Sequence, residues 1–151
     1  MTAALVQTTA GATIGISATL PATNDAAGYA ALTFSLIGEV TDLGEFGREY
    51  ATVTHNPIAS RRTIKRKGSF NDGTMALQLA IDRDDAGQII ALAAVGSDAN
   101  KAIAITYQDG SKDYFSALVM SFKTNAGSVD QILSGSINLE INTDIISVAL
   151  P

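Results

Sequence analysis

Apolar and polar residues alternate with a period of two through most of the chain, in short runs separated by turn residues, which is the pattern of half-buried antiparallel strands. Ile14, Ile16, Ala18 and Leu20 fall on one face of a first strand, opposite Thr13, Gly15, Ser17 and Thr19. A loop with Pro21, Asn24, Asp25 and Gly28 follows, and Leu32, Phe34 and Leu36 then alternate with Thr33 and Ser35 in a second strand that ends at Gly38. Residues 39–47 are rich in Gly and carboxylates, and residues 50–54 predict a weaker third strand that stops at the turn signal Asn56-Pro57. Met75, Leu77, Leu79 and Ile81 define a fourth strand, which runs into Asp82-Arg83-Asp84-Asp85.

There the period changes. Ile89, Ile90, Leu92, Ala93 and Ala94 no longer alternate and alanine is frequent, so residues 85–95 predict the one helix, with Ile89, Ile90 or Ala93 toward the sheet. Asp84 or Asp85 caps its start, with Gln88 in capping-box position after Asp85, and Gly96 stands at its end. Ile103, Ile105 and Tyr107 then lead through Gln108-Asp109-Gly110-Ser111 into residues 114–122, a hairpin signal. The second arm is apolar on both faces, with Phe115, Ala117 and Val119 on one and Leu118, Met120 and Phe122 on the other, so both faces need cover. A last strand turns Ile137, Leu139 and Ile141 inward and Ser136, Asn138, Glu140 and Asn142 outward, and the aliphatic tail from Ile145 packs on something. The element order predicts a mainly β domain, a β-sandwich or open β-barrel flanked by one helix.

Composition narrows the function. With 151 residues, 46% hydrophobic and 17% charged, the chain is one globular domain with enough material for a core. The absence of cysteine excludes disulfides, thiolate metal sites and a Cys nucleophile, and His55 is the sole histidine. No G-x-S-x-G elbow surrounds a serine, so His55 reads as an exposed residue before a turn and the chain as no enzyme. Asp72, Asp82, Asp84 and Asp85 do not follow the spacing of a calcium loop, and helix capping accounts for Asp84 and Asp85 more simply. Residues 1–12 lack a basic, signal-like start and no run of membrane-spanning length occurs, which leads to the expectation of a protein made in a reducing cytoplasm.

The formal charge of −5 disfavours general binding to a nucleic acid backbone. Against that background Arg61, Arg62, Lys65, Arg66 and Lys67 put five of the ten basic residues within seven positions. Such a run is a solvated loop or a contact segment for an acidic surface, and it has no aromatic interleaving of the kind single-strand binders use. The carboxylates Glu39, Asp42, Glu45 and Glu49 lie nearby in sequence, and opposite charge blocks on one small protein suit head-to-tail association between copies.

Several strings resemble the tail tube proteins of long-tailed, non-contractile bacteriophages and gene transfer agents. They are Ile37-Gly38-Glu39-Val40-Thr41-Asp42-Leu43-Gly44, residues 73–81 feeding Asp82-Arg83-Asp84-Asp85-Ala86-Gly87-Gln88, Ile105-Thr106-Tyr107-Gln108-Asp109-Gly110-Ser111, Phe115-Ser116-Ala117-Leu118-Val119 and Ser128-Val129-Asp130-Gln131. The resemblance spans residues 13–142. It implies hexameric rings stacked into a hollow virion tail tube that DNA passes through, with tail-tip and terminator proteins as further partners, no cofactor and no catalytic residues. It also implies that an arm at 1–12, a long loop at 39–73 and a tail at 143–151, with Ile145, Ile146, Val148 and Leu150, meet neighbouring subunits. A lumen that lets DNA slide is hydrated and net negative, which makes Asn138, Glu140 and Asn142 candidates to line it. The basic run is no part of the resemblance. Other phage β-proteins, such as a capsid decoration or tail completion protein, and the tube of a contractile tail or type VI machine are the alternatives.

Overall fold

Ten strands and two helices make up the computed structural model, which describes residues 6–149. In chain order they are β1 (Thr13–Ser17), α1 (Ala26–Ala30), β2 (Ser35–Leu36), β3 (Val40–Asp42), β4 (Glu49–His55), β5 (Ile64–Asn71), β6 (Thr74–Ala80), α2 (Ala86–Ala94), β7 (Lys101–Thr106), β8 (Lys112–Asn125), β9 (Ser134–Ile141) and β10 (Ile146–Val148). Eight strands form one antiparallel sheet in the order β2-β1-β7-β8-β9-β6-β3, with β10 also on β8, while β4 and β5 pair only with each other. The large sheet curls into an open half-barrel, so of the two expected architectures it is the open barrel and not the sandwich of two stacked sheets.

The 14-residue β8 sets the curl. Its first half pairs with β7 on one edge and β10 on the other, and its second half pairs with β9. Val119 lies opposite Leu139 and Ser121 opposite Asn138, so Met120 is an extra, bulged residue. A bulge bends the strand and shifts its phase by one. Phe122 therefore returns to the inner face with Phe115 and Val119, where strict alternation had placed it outside with Leu118 and Met120, and Met120 stays exposed.

The concave face holds Ile14, Ile16, Ile103, Ile105, Phe115, Ile137, Leu139, Met75, Leu77 and Leu79, and α2 closes over it. A second, smaller cluster on the other face of β7 and β8 joins Tyr29, Ala102, Ala104 and Tyr114, with Leu32, Phe34, Ile146 and Val148 against it. The outer face of β8 is thus covered only at its start, where α1 lies over Tyr114 and Ser116 beside β10; Leu118 is half-buried and Met120 exposed, so the cover expected on both faces does not extend past Ser116. Helix α1 was not expected in a segment read as a loop. It is one turn capped by Asp25, whose carboxylate accepts from the Gly28 amide at 2.7 Å, and it exists to seat Tyr29, stacked 5.4 Å from Tyr114 and bonded to the Ser116 hydroxyl at 2.7 Å.

Helix α2 confirms its expected position, with Asp85 and not Asp84 as the cap, and of the three residues expected toward the sheet Ile90 alone packs on the core. Gly87, Gln88, Ala91 and Ala94 are buried, Ile90 is partly so, and Ile89 and Ala93 face solvent. The reason is a polar latch. Gln88 donates to the carbonyls of Gly38 and Ala80 and accepts from the Asp82 amide, each at 3.0 Å, while Asp85 also accepts from the Gly38 amide at 3.0 Å. At Gly87 the helix lies against backbone, and a Cβ there would stand 2.3 Å from the Leu36 carbonyl oxygen. Alanine is the better helix former by about 1 kcal/mol, yet the clash is with main chain that cannot rotate away. Gly87→Ala is expected to lower stability by about 1–3 kcal/mol, lowering the melting temperature, whereas Ile89→Ala changes it by less than about 0.5 kcal/mol. Thermal melts followed by circular dichroism measure both.

Candidate assembly surface

The segment 39–73, expected as one long loop, has two parts. Residues 39–48 run along the body, held by Val40, Leu43 and Phe46, the last with its ring 5.6 Å from that of Phe115. Ala80 donates to the Glu39 carbonyl at 2.9 Å, and β3 pairs with β6. Residues 49–71 then leave the body as the β4–β5 hairpin. Every residue of β4 is exposed, as is every residue of β5 but Gly68, which is half-buried. The seven residues of β4, at about 3.3 Å each, carry the tip roughly 23 Å from the root.

The basic run, expected as a loop, is divided between the hairpin's tip loop and its return strand. Arg61 and Arg62 sit at the tip, and Lys65, Arg66 and Lys67 lie on β5. Cross-strand register puts Lys65 and Lys67 on one face opposite Thr54 and Thr52, and Arg66 on the other opposite Val53, beside the His55–Ile64 pair. The apolar Tyr50, Val53, Ile58, Ile64 and Phe70 are all exposed on this one arm. Lys67 stands over the Tyr50 ring at 4.6 Å.

At the root Arg48 holds the hairpin to the body. Its Nε donates to Asp72 at 3.0 Å, a second guanidinium N–H donates to Asp144 just before β10, and its plane lies 4.0 Å from the Phe70 ring centroid. These bonds, that to Asp72 foremost, raise the guanidinium pKa above its ordinary value. Asp72, considered above as a cation ligand, is thus an ion-pair partner and nearly buried. Asp82 accepts from the Asp84 amide at 3.0 Å, and among the described residues no three His, Cys, Asp or Glu side chains cluster as a metal site. Arg48 escaped sequence reading because a lone arginine between carboxylates has no period or motif to mark it.

The acidic candidates do not form one patch. Glu39, Asp42, Glu45 and Glu49 are each exposed, strung from the edge of the large sheet to the first residue of β4, and Asp42 caps the turn at Gly44 through a 2.8 Å bond. The C-terminal segment is not an exposed tail. Ile145 packs on the main core and Ile146 and Val148 pack on the smaller cluster through β10, so all three are half-buried in their own subunit; Leu150 lies outside the described residues.

Asn138 and Glu140 project from the outward face of β9, and Asn142, past the strand end, donates to Asn100 at 2.9 Å. Around the first two, register places Thr74, Ala76 and Gln78 of β6 and Leu118, Ser121 and Lys123 of β8. Glu140 accepts from Thr74 at 2.7 Å. Asp42 of β3 stands opposite Gln78 on the same side, so with Glu140, Lys123 and Asp42 as its ionised groups this face is polar with a surplus of one negative charge. No helix of the described residues is long and apolar enough to cross a membrane.

No protein-family model matches the sequence, and no curated protein matches it. Solved structures do. A chain of the anti-feeding prophage baseplate, six-fold symmetrised, superposes with a TM-score of 0.72 at 11% identity, over 99% of this chain and 98% of that one. The tail of an empty gene transfer agent particle, refined with C6 symmetry, gives 0.70 at 11% identity, over 95% and 100%. The SPP1 tail tube gives 0.62 at 15% identity, over 92% and 77%. The chain has the fold of these tail and baseplate components.

The root clamp generates a prediction. Arg48→Gln removes both carboxylate bonds and the stacking on Phe70, so the hairpin is expected to swing. Backbone ¹⁵N order parameters for residues 49–71 should fall toward the flexible range, below about 0.6, while those of β6 and β9 stay unchanged.

Proposed function

We propose that this chain is a structural subunit of a tail tube, forming six-membered rings that stack into a hollow tube through which DNA passes in a non-contractile tail, and that it performs no catalysis. One observation carries the reading: a two-stranded hairpin of mixed apolar and basic surface projects from the body and, among the described residues, pairs with no strand outside itself. An isolated two-stranded hairpin is marginal in water, so an ordered one that leaves Val53, Ile58 and Phe70 to solvent is built to be covered by another molecule. The fold supports the choice of a second copy as that molecule, and the charge supports it too, because half of the positive charge sits on one arm of an acidic protein. Tail-tip and terminator proteins would meet the ends of the tube.

The outward face of β6, β9 and the end of β8, with Asn138 and Glu140 at its centre, is suited to the lumen. Short polar side chains hold water, and a face without a surplus of Lys or Arg releases no counterions from DNA and so does not retain it. The tube of a contractile system is the second reading, favoured by the likeness to the anti-feeding prophage component; the two part on whether a sheath protein binds the outside of the assembled tube. A capsid decoration or tail completion protein would form no tube.

Electron microscopy of the purified protein, alone and with tail-tip proteins, is expected to show tubes built of six-membered rings. Arg62→Glu, Lys65→Glu and Arg66→Glu together should raise the concentration needed for assembly at least tenfold while leaving the monomer's circular dichroism and melting unchanged. Single exposed pairs contribute only about 0–1 kcal/mol, but each repeats around the ring. Wild-type assembly should also weaken in high salt. Normal tubes from the triple variant would show that the run is merely solvated.

A further inference from the structure

The β4–β5 arm has two chemically different faces, and a bulge sorts them. Tyr50 stands opposite Phe70 and Thr52 opposite Lys67, so Gly68 and Ser69 of β5 face the single residue Ala51 of β4. The extra residue shifts the phase of β5 by one. Lys67 and Lys65 thereby join Phe70, Tyr50, Thr52 and Thr54 on one face, where strict alternation from Phe70 would have put Gly68 and Arg66. Ala51, Val53 and Ile64 fall on the other face with Arg66, His55 and Glu49, and this apolar face is the one suited to a second copy. The first face alternates cation and ring from the root outward. The Arg48 guanidinium lies 4.0 Å from the Phe70 ring centroid, the Phe70 and Tyr50 rings are 5.5 Å apart, and the Lys67 ammonium stands 4.6 Å from Tyr50. The aromatic interleaving missing from the sequence of the basic run is supplied across the strands.

That face carries no carboxylate. Residues 49–71 hold five basic residues and one acid, Glu49, which lies on the opposite face. Among the described residues both ion pairs belong to Arg48, so Arg61, Arg62, Lys65, Arg66 and Lys67 have no carboxylate partner there. Nor does the body offer an acidic patch to receive the row, since Glu39, Asp42 and Glu45 are strung along the segment before β4. The row fits a regular polyanion instead. The negative charge of the body does not oppose one, because Lys65, opposite Thr54, stands about 16 Å along the arm from Glu49, roughly twice the Debye length at physiological salt. A two-stranded ribbon is moreover an element that the major groove of duplex DNA admits.

We infer that the Lys65 and Lys67 face of the arm binds the phosphate backbone of duplex DNA, with the ribbon seated in the major groove and Arg61 and Arg62 extending the row at the tip. The Thr52 and Thr54 hydroxyls donate to the same phosphates, and the contact is independent of base sequence. This binding goes beyond the tube reading and does not depend on it. In a stack, the ring at one end keeps arms that no further copy covers, and DNA meets them where it enters or leaves.

Fluorescence anisotropy of a labelled short duplex of random sequence, at protein concentrations below assembly, tests the binding. Affinity is expected to fall linearly with salt on logarithmic axes. Lys65→Gln with Lys67→Gln should weaken it at least tenfold and reduce the slope by about 1.8, the value for two lost phosphate contacts. Arg83→Gln with Lys112→Gln removes the same charge from exposed positions on the body and should leave the slope unchanged. Salt-sensitive duplex binding lost in the arm variant alone supports the inference, whether or not tubes form. It is overturned by the absence of salt-dependent binding to the duplex, by an arm variant that matches the wild type, by a body variant that loses as much, by tighter binding of the corresponding single strand, or by poly-glutamate competing as well as DNA at equal charge. Each of these leaves the tube reading standing.

Discussion

A curled sheet that stops short of closing needs something to seal its concave face, and here that burden falls on a nine-residue helix. Apolar burial alone would hold it weakly, since Ala91 and Ala94 offer little apolar area and Ile90 is only partly buried. The latch supplies the rest. Asp85 and Gln88 bond to backbone groups of the segment entering β3 and the end of β6, so one buried amide and one carboxylate tie three separate pieces of chain together. Buried polar groups of this kind are stabilising only when fully paired, and among the described residues no buried side-chain nitrogen or oxygen lacks a partner. Gly87 permits the close approach on which those bonds depend.

That solution fixes what remains outside. α2 packs Ile90, Ala91 and Ala94 on the core and presents Ile89 and Leu92 to solvent, and the chain between β3 and β6, after running along the body to residue 48, leaves it and comes back. The excursion is the β4–β5 hairpin, anchored at its root by Arg48 on Asp72 and Asp144. The same packing that completes the core thus leaves an arm that, among the described residues, pairs with no strand outside itself, and two large apolar side chains exposed on α2.

Strands with a clean period of two were legible. Met75, Leu77 and Leu79, and Ile137, Leu139 and Ile141, are buried as their alternation requires, and Asp85 caps α2 as its spacing with Gln88 requires. What was not legible depended on tertiary context. The phase of Phe122 is set by a bulge at Met120 that no residue type announces. The inward face of α2 is set by the latch and by Gly87, against the hydrophobic rank of Ile89. β5 was missed because Lys65, Arg66 and Lys67 have the composition of a loop, and only pairing with Val53 and its neighbours makes them a strand. That the aliphatic tail packs was legible, but not where: Ile146 and Val148, on β10 beside β8, join the smaller cluster of their own subunit. The resemblance of local strings to tail tube proteins reached the fold, which the superpositions on the gene transfer agent tail and the SPP1 tube support at identities too low for sequence matching.

The central claim is that the hairpin is ordered to be covered by another copy of the chain. Amide hydrogen exchange of residues 49–71, measured on the monomer at low concentration and on the assembled protein, tests it most directly. The account predicts rapid exchange in the monomer, close to the rate of exposed loops, and strong protection on assembly, with the amides of β6 and β9 protected in both. Equal protection of the hairpin in monomer and assembly, or exchange that stays fast once tubes have formed, would contradict it.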